Sequence, residues 1–242
     1  MAEQGGLRIG SFAGAAIVIE PAFLLLALYV VGSAVVRGGV AALGSALVIV
    51  AVIFAAVLIH EMGHAGMAAA LRIPSKRIVL TFFGGYVQFA RAPKQRWHEI
   101  AVSSAGPGAN LISYALVTAL TPLLALALSP TPFTFAVLNA LGMFGFISLL
   151  LGLFNLLPGF PLDGGNMLRA ALSYVMPASN ARALSAVCGL AIAAGLFAFA
   201  IWQQFWWTMF IAALLGLGAW AELRAARRAA QGASPSDTTS NA

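Results

Sequence analysis

VAALGSALVIVAVIFAAVLIHEMGHAGMAAA, Val40–Ala70, decides how the rest of the chain is read. It is apolar and uncharged until His60, and as a helix it is long enough to cross a hydrocarbon core of about 30 Å. Near its C-terminal end stand His60, Glu61 and His64. Positions i and i+4 of a helix share a face, so His60 and His64 can grip one metal ion. Glu61 lies beside them, where a general base for a metal-activated water is needed. Ionisable residues inside a membrane helix are costly and mark a functional site. A surface helix of a soluble protein can carry this pattern by accident; a span so poor in polar residues does so far less readily.

The rest of the composition agrees with that setting. Of 242 residues, 61% are hydrophobic and only 8% charged, against about 25% charged in an ordinary soluble domain. The expected fold class is an all-α polytopic membrane protein, its partner the lipid bilayer. The net charge of +6 is no nucleic-acid footprint, because the basic residues sit in loops between apolar runs. Cys188 stands alone, so no internal disulfide forms; it reads as a small packing residue. Met1–Gly6 carries Glu3 and no basic stretch, so no cleavable signal peptide is expected.

Along the chain, Leu7–Ile19 reads as one or two strands or an interfacial segment. Spans are expected at Pro21–Val36, Val40–Ala70, Ile100–Leu128, Phe133–Leu157, Ala181–Trp202 and Phe205–Glu222. The third is expected to be interrupted at Ser103–Asn110, where small residues and Pro107 break the apolar run. Between spans two and three, Ile78–Phe83 and Tyr86–Ala90 flank Gly84-Gly85 and suggest a β-hairpin turning at the two glycines. Met167–Met176 reads as a short helix stopped by Pro177. Trp202, Trp206 and Trp207 fit an aromatic belt. About six helices, with a small β-hairpin or sheet at the cytoplasmic interface, put both termini on the side of the long basic loop. Arg37 is then the single one of 13 Lys+Arg on the opposite face. That asymmetry places both termini in the cytoplasm of a cell whose plasma (inner) membrane holds the protein. The Ala-, Gly- and Arg-rich composition is of a kind that GC-rich bacterial genomes encode.

Two histidines rarely complete a catalytic zinc site, which usually has three protein ligands and one open position. His98 lies among Arg96, Trp97 and Glu99 in the basic loop, a poor place for an intramembrane ligand. Of the carboxylates after His64, Glu99 ends the polar loop, Glu222 reads as a helix cap beside arginines, and Asp237 lies in the tail. Asp163 alone is embedded in apolar sequence, on a Pro- and Gly-broken backbone. Asp-Gly is also a common turn pair. Beside an intramembrane His-Glu-x-x-His, the ligand reading is the stronger.

At these residues the chain resembles the site-2 protease family of intramembrane zinc metalloproteases. His60-Glu61-Met62-Gly63-His64 matches its metal helix, and Ser104–Asn110 (SAGPGAN) resembles its Ala-Gly-Pro…Asn block. Asn155–Gly165 (NLLPGFPLDGG) resembles its Asn-Pro…Asp-Gly block, and Phe83-Gly84-Gly85-Tyr86 its loop hairpin. The resemblance implies one zinc ion per chain on His60, His64 and Asp163, with Glu61 as catalytic base. It implies a zinc metalloendopeptidase that cuts a membrane-anchored protein, such as an anti-sigma factor or another tethered regulator, in or near its transmembrane segment. Residues 1–230 would form the single intramembrane domain, its core spans at about 40–165, and 231–242 a disordered cytoplasmic tail. Asn166 stands where members often have Arg, and Glu20 where many have His. Neither is a ligand. No PDZ or CBS module is expected in cis. Asn155 is a candidate donor to the developing oxyanion, or equally a helix cap. Gly84-Gly85 could offer a strand edge to an extended substrate, or simply pack. A homo-oligomer is left open.

Two rival readings deserve weight. An ion or metal transporter also buries His, Glu and Asp, but it more often shows broken helices repeated in two halves. An inactive relative that binds membrane clients would usually carry a damaged motif, and this one is intact.

Overall fold

A computed structural model of the chain describes residues 6–82, 84–93 and 95–232, with backbone alone at the last two positions. Among the described residues, six helices are long and apolar enough to cross a membrane. The protein is a multi-pass membrane protein. Its chain divides into two compact units, Met1–Lys94 with Ser104–Phe154, and Gln95–Ser103 with Asn155–Ala242.

In the first unit, the stretch before Glu20 forms two strands, β1 (Leu7–Phe12) and β2 (Ala15–Ile19). Pro21 then opens α1 (Pro21–Gly38) from the first turn, where its missing N–H does no harm. Gly39, at φ 66°, turns the chain into a short 3-10 segment and then α2 (Leu43–Ala70). After α2 come β3 (Ser75–Thr81) and β4 (Gly84–Phe89). The four strands make one sheet in the order β1-β2-β3-β4, antiparallel except for the parallel β2–β3 pair. α3 (Arg96–Ala127) starts in the second unit and continues into the first, followed by α4 (Pro132–Asn155).

The sheet packs on the motif-bearing half of α2. Ala15, Ile17 and Ile78 bury against Ala65, with Phe12, Leu58, Met62 and Val87 around them. Phe23 of α1, Val57 of α2 and Leu80 of β3 form a second cluster. In β3, Ile78, Val79 and Leu80 are at most 1% exposed. Apolar side chains on both its faces suit an inner strand. Tyr86 of β4 donates to Glu20 Oε1 at 3.4 Å. Partial burial, and then the Glu20 carboxylate, push its phenol pKa up.

Two expectations in this unit are corrected. The glycines do not form the hairpin turn: Thr81 pairs with Gly84 and Leu80 with Gly85, so both glycines belong to β4 and the turn precedes them. Gly84 sits at φ +129°, which a side chain rarely tolerates. α3 is not interrupted at Ser103–Asn110; it runs unbroken through Pro107 and Pro122. A proline removes one helix hydrogen bond, and neighbouring groups in a membrane bundle can satisfy the freed carbonyl.

In the second unit, the loop after Asn155 leads into α5 (Asp163–Leu172), then α6 (Ala178–Trp202) and α7 (Trp206–Gly232). α6 and α7 bury small residues, among them Ala181, Ala186, Ala193, Ala212, Ala219 and Ala226. Such residues let membrane helices approach closely. The short helix starts earlier than expected, at Asp163 rather than Met167. A carboxylate in the first turn is favourable beside the helix N-terminus. Pro177 precedes α6 as its N-cap residue instead of ending α5. Glu222 is no helix cap: it lies within α7, where Arg182 Nε and Nη2 donate to its two oxygens at 2.7 and 3.1 Å. Glu99 and Arg169 form a further ion pair. Of the expected tail, residues 231 and 232 continue α7; the remainder lies outside the described residues.

Candidate metal centre

Helix spacing sets the geometry of the motif. His60 and His64 stand one turn apart on α2, their ring centroids 4.8 Å apart and their planes at 83°. His60, Glu61 and His64 are 5%, 4% and 8% exposed. Buried polar groups of this kind need partners, and α3 supplies one for His60.

α3 provides the wall opposite α2. The helices meet at Gly63, where an ideal Cβ would lie 2.4 Å from the Ala105 carbonyl oxygen. One residue on, an ideal Cβ at Gly106 would lie 2.3 Å from His64 Nε2 and 2.9 Å from His60 Nε2. Both Nε2 atoms therefore border the space that Gly106 leaves open. One turn further along α3, Asn110 is fully buried. Its Oδ1 lies 2.8 Å from His60 Nδ1, and its Nδ2 donates to the Ala56 carbonyl at 3.1 Å. His60 thus has one ring nitrogen engaged and the other turned to the shared space. Two imidazole Nε2 atoms facing one small, side-chain-free space fit a zinc ion, whose preferred ligands include histidine nitrogen.

β4 provides a second wall, beside Glu61. A Cβ at Gly85 would lie 2.6 Å from Glu61 Cγ and 2.9 Å from Glu61 Oε1. The carboxylate rests against strand backbone at a position that only glycine fits. Gly84, its neighbour, faces no atom within 4 Å where its Cβ would be.

Asp163 and Asn155 belong to the second unit. Asn155 is the last residue of α4 and Asp163 the first of α5. The two glycines after Asp163 allow a tight clasp. A Cβ at Gly164 would lie 2.3 Å from the Leu156 carbonyl oxygen, and one at Gly165 2.2 Å from Phe160 N. Ser185 of α6 donates to the Gly165 carbonyl at 2.8 Å, while Phe160 N donates to the Ser185 carbonyl at 3.1 Å. Both bonds run to Ser185, so the segment that carries Asp163 is tied to α6 on either side of it, at Phe160 and Gly165. His98 lies on the first turn of α3 with its ring against Trp97, centroids 4.1 Å apart.

The reading of the sequence missed three contacts: Asn110 on His60, Gly106 under both imidazoles, and Gly85 under Glu61. Asn110 offered a signal, a polar amide inside an apolar span, but it reads equally as a stitch between helices. The glycines offered none, since a missing side chain says nothing of what occupies its place.

Comparison with known proteins agrees with these features. The model of peptidase family M50 matches residues 48–128 and 120–198. A candidate zinc metalloprotease of Synechocystis sp. is 33% identical over 174 residues, covering 69% of this chain and 44% of that protein. A zinc metalloprotease of Methanocaldococcus jannaschii is 27% identical over 169 residues, covering 69% of this chain and 45% of that protein. The chain thus spans less than half the length of these two curated relatives. Among solved structures, the site-2 protease from Methanocaldococcus jannaschii superposes with a TM-score of 0.68 at 23% identity, covering 91% of this chain and 96% of that one. It has the same fold. With the family model matched from within α2 to within α6, the chain belongs to peptidase family M50, the site-2 protease family that its three motif blocks resemble.

Proposed function

We propose that the protein is an intramembrane zinc metalloprotease that hydrolyses a peptide bond in or near the transmembrane segment of a membrane-anchored protein. The observation that carries this reading is the pair of buried imidazoles on α2. Their Nε2 atoms border one side-chain-free space at Gly106, with Glu61 beside them, in a helix apolar enough to span a bilayer. Asp163 completes the ligand set. Two imidazoles and a carboxylate are the donors that a catalytic zinc with one open position takes.

Zinc held by His60, His64 and Asp163 would supply Lewis acidity, polarising the scissile carbonyl and lowering the pKa of the attacking water enough for its deprotonation at neutral pH. Glu61 accepts the proton of the attacking water and passes it to the leaving amine, so one water is consumed and an acid and an amine are released. The β4 backbone at Gly85 holds that carboxylate in place. Asn155 donates its amide N–H to the developing oxyanion. β4 is an edge strand, and its outer side pairs with the client once the client's helix has unwound. The client is a membrane-anchored protein such as an anti-sigma factor or another tethered regulator. The protein lies in a bacterial plasma membrane with both termini in the cytoplasm, as the distribution of Lys and Arg supports.

Comparing membrane and released proteomes of wild-type and Glu61→Gln cells tests the reading: one membrane protein should accumulate uncut in the variant. Identical proteomes would count against it. Asp163→Asn should weaken zinc binding in the purified protein by tenfold or more, on the order of 1.4 kcal/mol. Unchanged zinc affinity would point to another ligand.

A further inference from the structure

Asn110 lies 50 residues from His60 in the chain, on another helix, yet it contacts both the ring of His60 and the helix turn beneath it. We infer that Asn110 is a positioning residue: it fixes His60 as the Nδ1–H tautomer, so that Nε2 is the nitrogen offered to metal. This rests on the zinc reading of the site.

One partner of Asn110 has an unambiguous role. A carbonyl oxygen can only accept, so the group of Asn110 facing the Ala56 carbonyl at 3.1 Å is its NH2. The amide oxygen is then the atom facing His60 Nδ1 at 2.8 Å. An amide oxygen also can only accept, so His60 Nδ1 carries the hydrogen. In the neutral ring that leaves the lone pair on Nε2, the atom beside the open space at Gly106. Each alternative costs a buried hydrogen bond. Flipping the amide would set its oxygen against the Ala56 carbonyl oxygen. The other tautomer would set two lone pairs face to face at 2.8 Å. Asn110 is 0% exposed, so no bulk water relieves either clash.

Ala56 adds rigidity. It stands four residues before His60, so its carbonyl is the acceptor for His60's own backbone N–H in the helix pattern. Asn110 therefore binds the ring of His60 and the turn that carries it. The close approach of α3 at Gly63, Ala105 and Ala109 holds Asn110 within reach. A helix stitch would need the bond to Ala56 alone. The bond to Nδ1 is the one that orients a ligand, and such outer partners typically govern metal affinity by 10- to 100-fold (about).

Two measurements on the full-length protein in detergent test this. The first is zinc affinity, by competition with a chelator, for wild type, Asn110→Leu and Asn110→Asp. Leucine nearly matches the shape of Asn without its polar atoms. The Asp carboxyl in its acid form can accept from Nδ1–H and donate to the Ala56 carbonyl. Asn110→Leu should bind zinc at least about tenfold more weakly, and Asn110→Asp should recover most of that loss. Leu binding like wild type, or Asp failing as badly as Leu, would overturn the proposal. The second measurement needs no variant: nitrogen NMR of the histidines in metal-free wild-type protein. A His60 ring protonated at Nδ1 is the result expected, and one protonated at Nε2 refutes the assignment even if both variants misfold. Failure of the zinc reading looks different: the wild type would take up no zinc while His60 still showed the Nδ1–H form.

Discussion

Two imidazole nitrogens border the place where a side chain at Gly106 would begin, and that makes the position testable. Gly106→Ala would put a methyl carbon 2.3 Å from His64 Nε2, closer than any stable contact allows. Either the rings turn away or α2 and α3 part. We expect at least a tenfold weaker zinc affinity, about 1.4 kcal/mol, measured by chelator competition. Unaltered affinity would show that the space at Gly106 is not where metal binds. Much at this scale was legible in advance. The spacing of His60 and His64 predicts a shared helix face, and their rings are found 4.8 Å apart. Contacts between distant elements were not legible. Asn110 shows that something polar must be satisfied inside a span, but not that its partner is a histidine. Gly85 reads as a turn residue because Gly-Gly between strand-forming residues usually turns; here the carboxylate of Glu61 claims the space beside the strand.

At the scale of elements, the loop from Leu156 to Leu162 is shaped by absent side chains. Gly189 of α6 would carry its Cβ 2.0 Å from the Phe160 carbonyl oxygen, and Gly159 lies against Gly189 in turn. Gly189→Ala must displace this loop or α6. Overpacking of that kind costs about 1–3 kcal/mol. The expected result is a lower thermal midpoint in detergent, read by loss of helical circular dichroism; an unchanged midpoint would mean that the loop is not packed as described. The bounds of the helices were largely legible, because apolar runs and prolines mark them: α1 begins at Pro21, α4 at Pro132. The errors share a cause. Gly and Pro predict breaks at Ser103–Asn110, at Gly84-Gly85 and after Asp163. In each place they instead sit inside regular structure, and Gly85, Gly106 and Gly164 leave room there for another part of the chain. Local propensity records what a residue does to its own backbone, and these residues act on a neighbour's.

For the molecule as a whole, the six candidate spans among the described residues agree with the number that the sequence predicts, and family membership explains why an ionisable pattern lies in one of them. The proposed orientation rests on charge alone. It predicts that a single cysteine at Arg37 reacts in intact cells with a membrane-impermeant thiol reagent, while one at Lys76 reacts only after lysis, each in a background lacking Cys188. The reverse pattern would invert the topology. The central claim, that this chain cuts peptide bonds within a bilayer with zinc and Glu61, is tested most directly by reconstitution. The purified protein is placed in vesicles with a fluorescent single-span substrate identified from the uncut protein in cells, with zinc bound or removed. The account predicts cleavage by the zinc-loaded wild type, at a bond that mass spectrometry maps to the membrane segment or its edge. It predicts at least a hundredfold loss in Glu61→Gln, the scale of a missing general base (about 10²–10⁴-fold), with zinc still bound. Cleavage by zinc-loaded Glu61→Gln at the wild-type rate would contradict it.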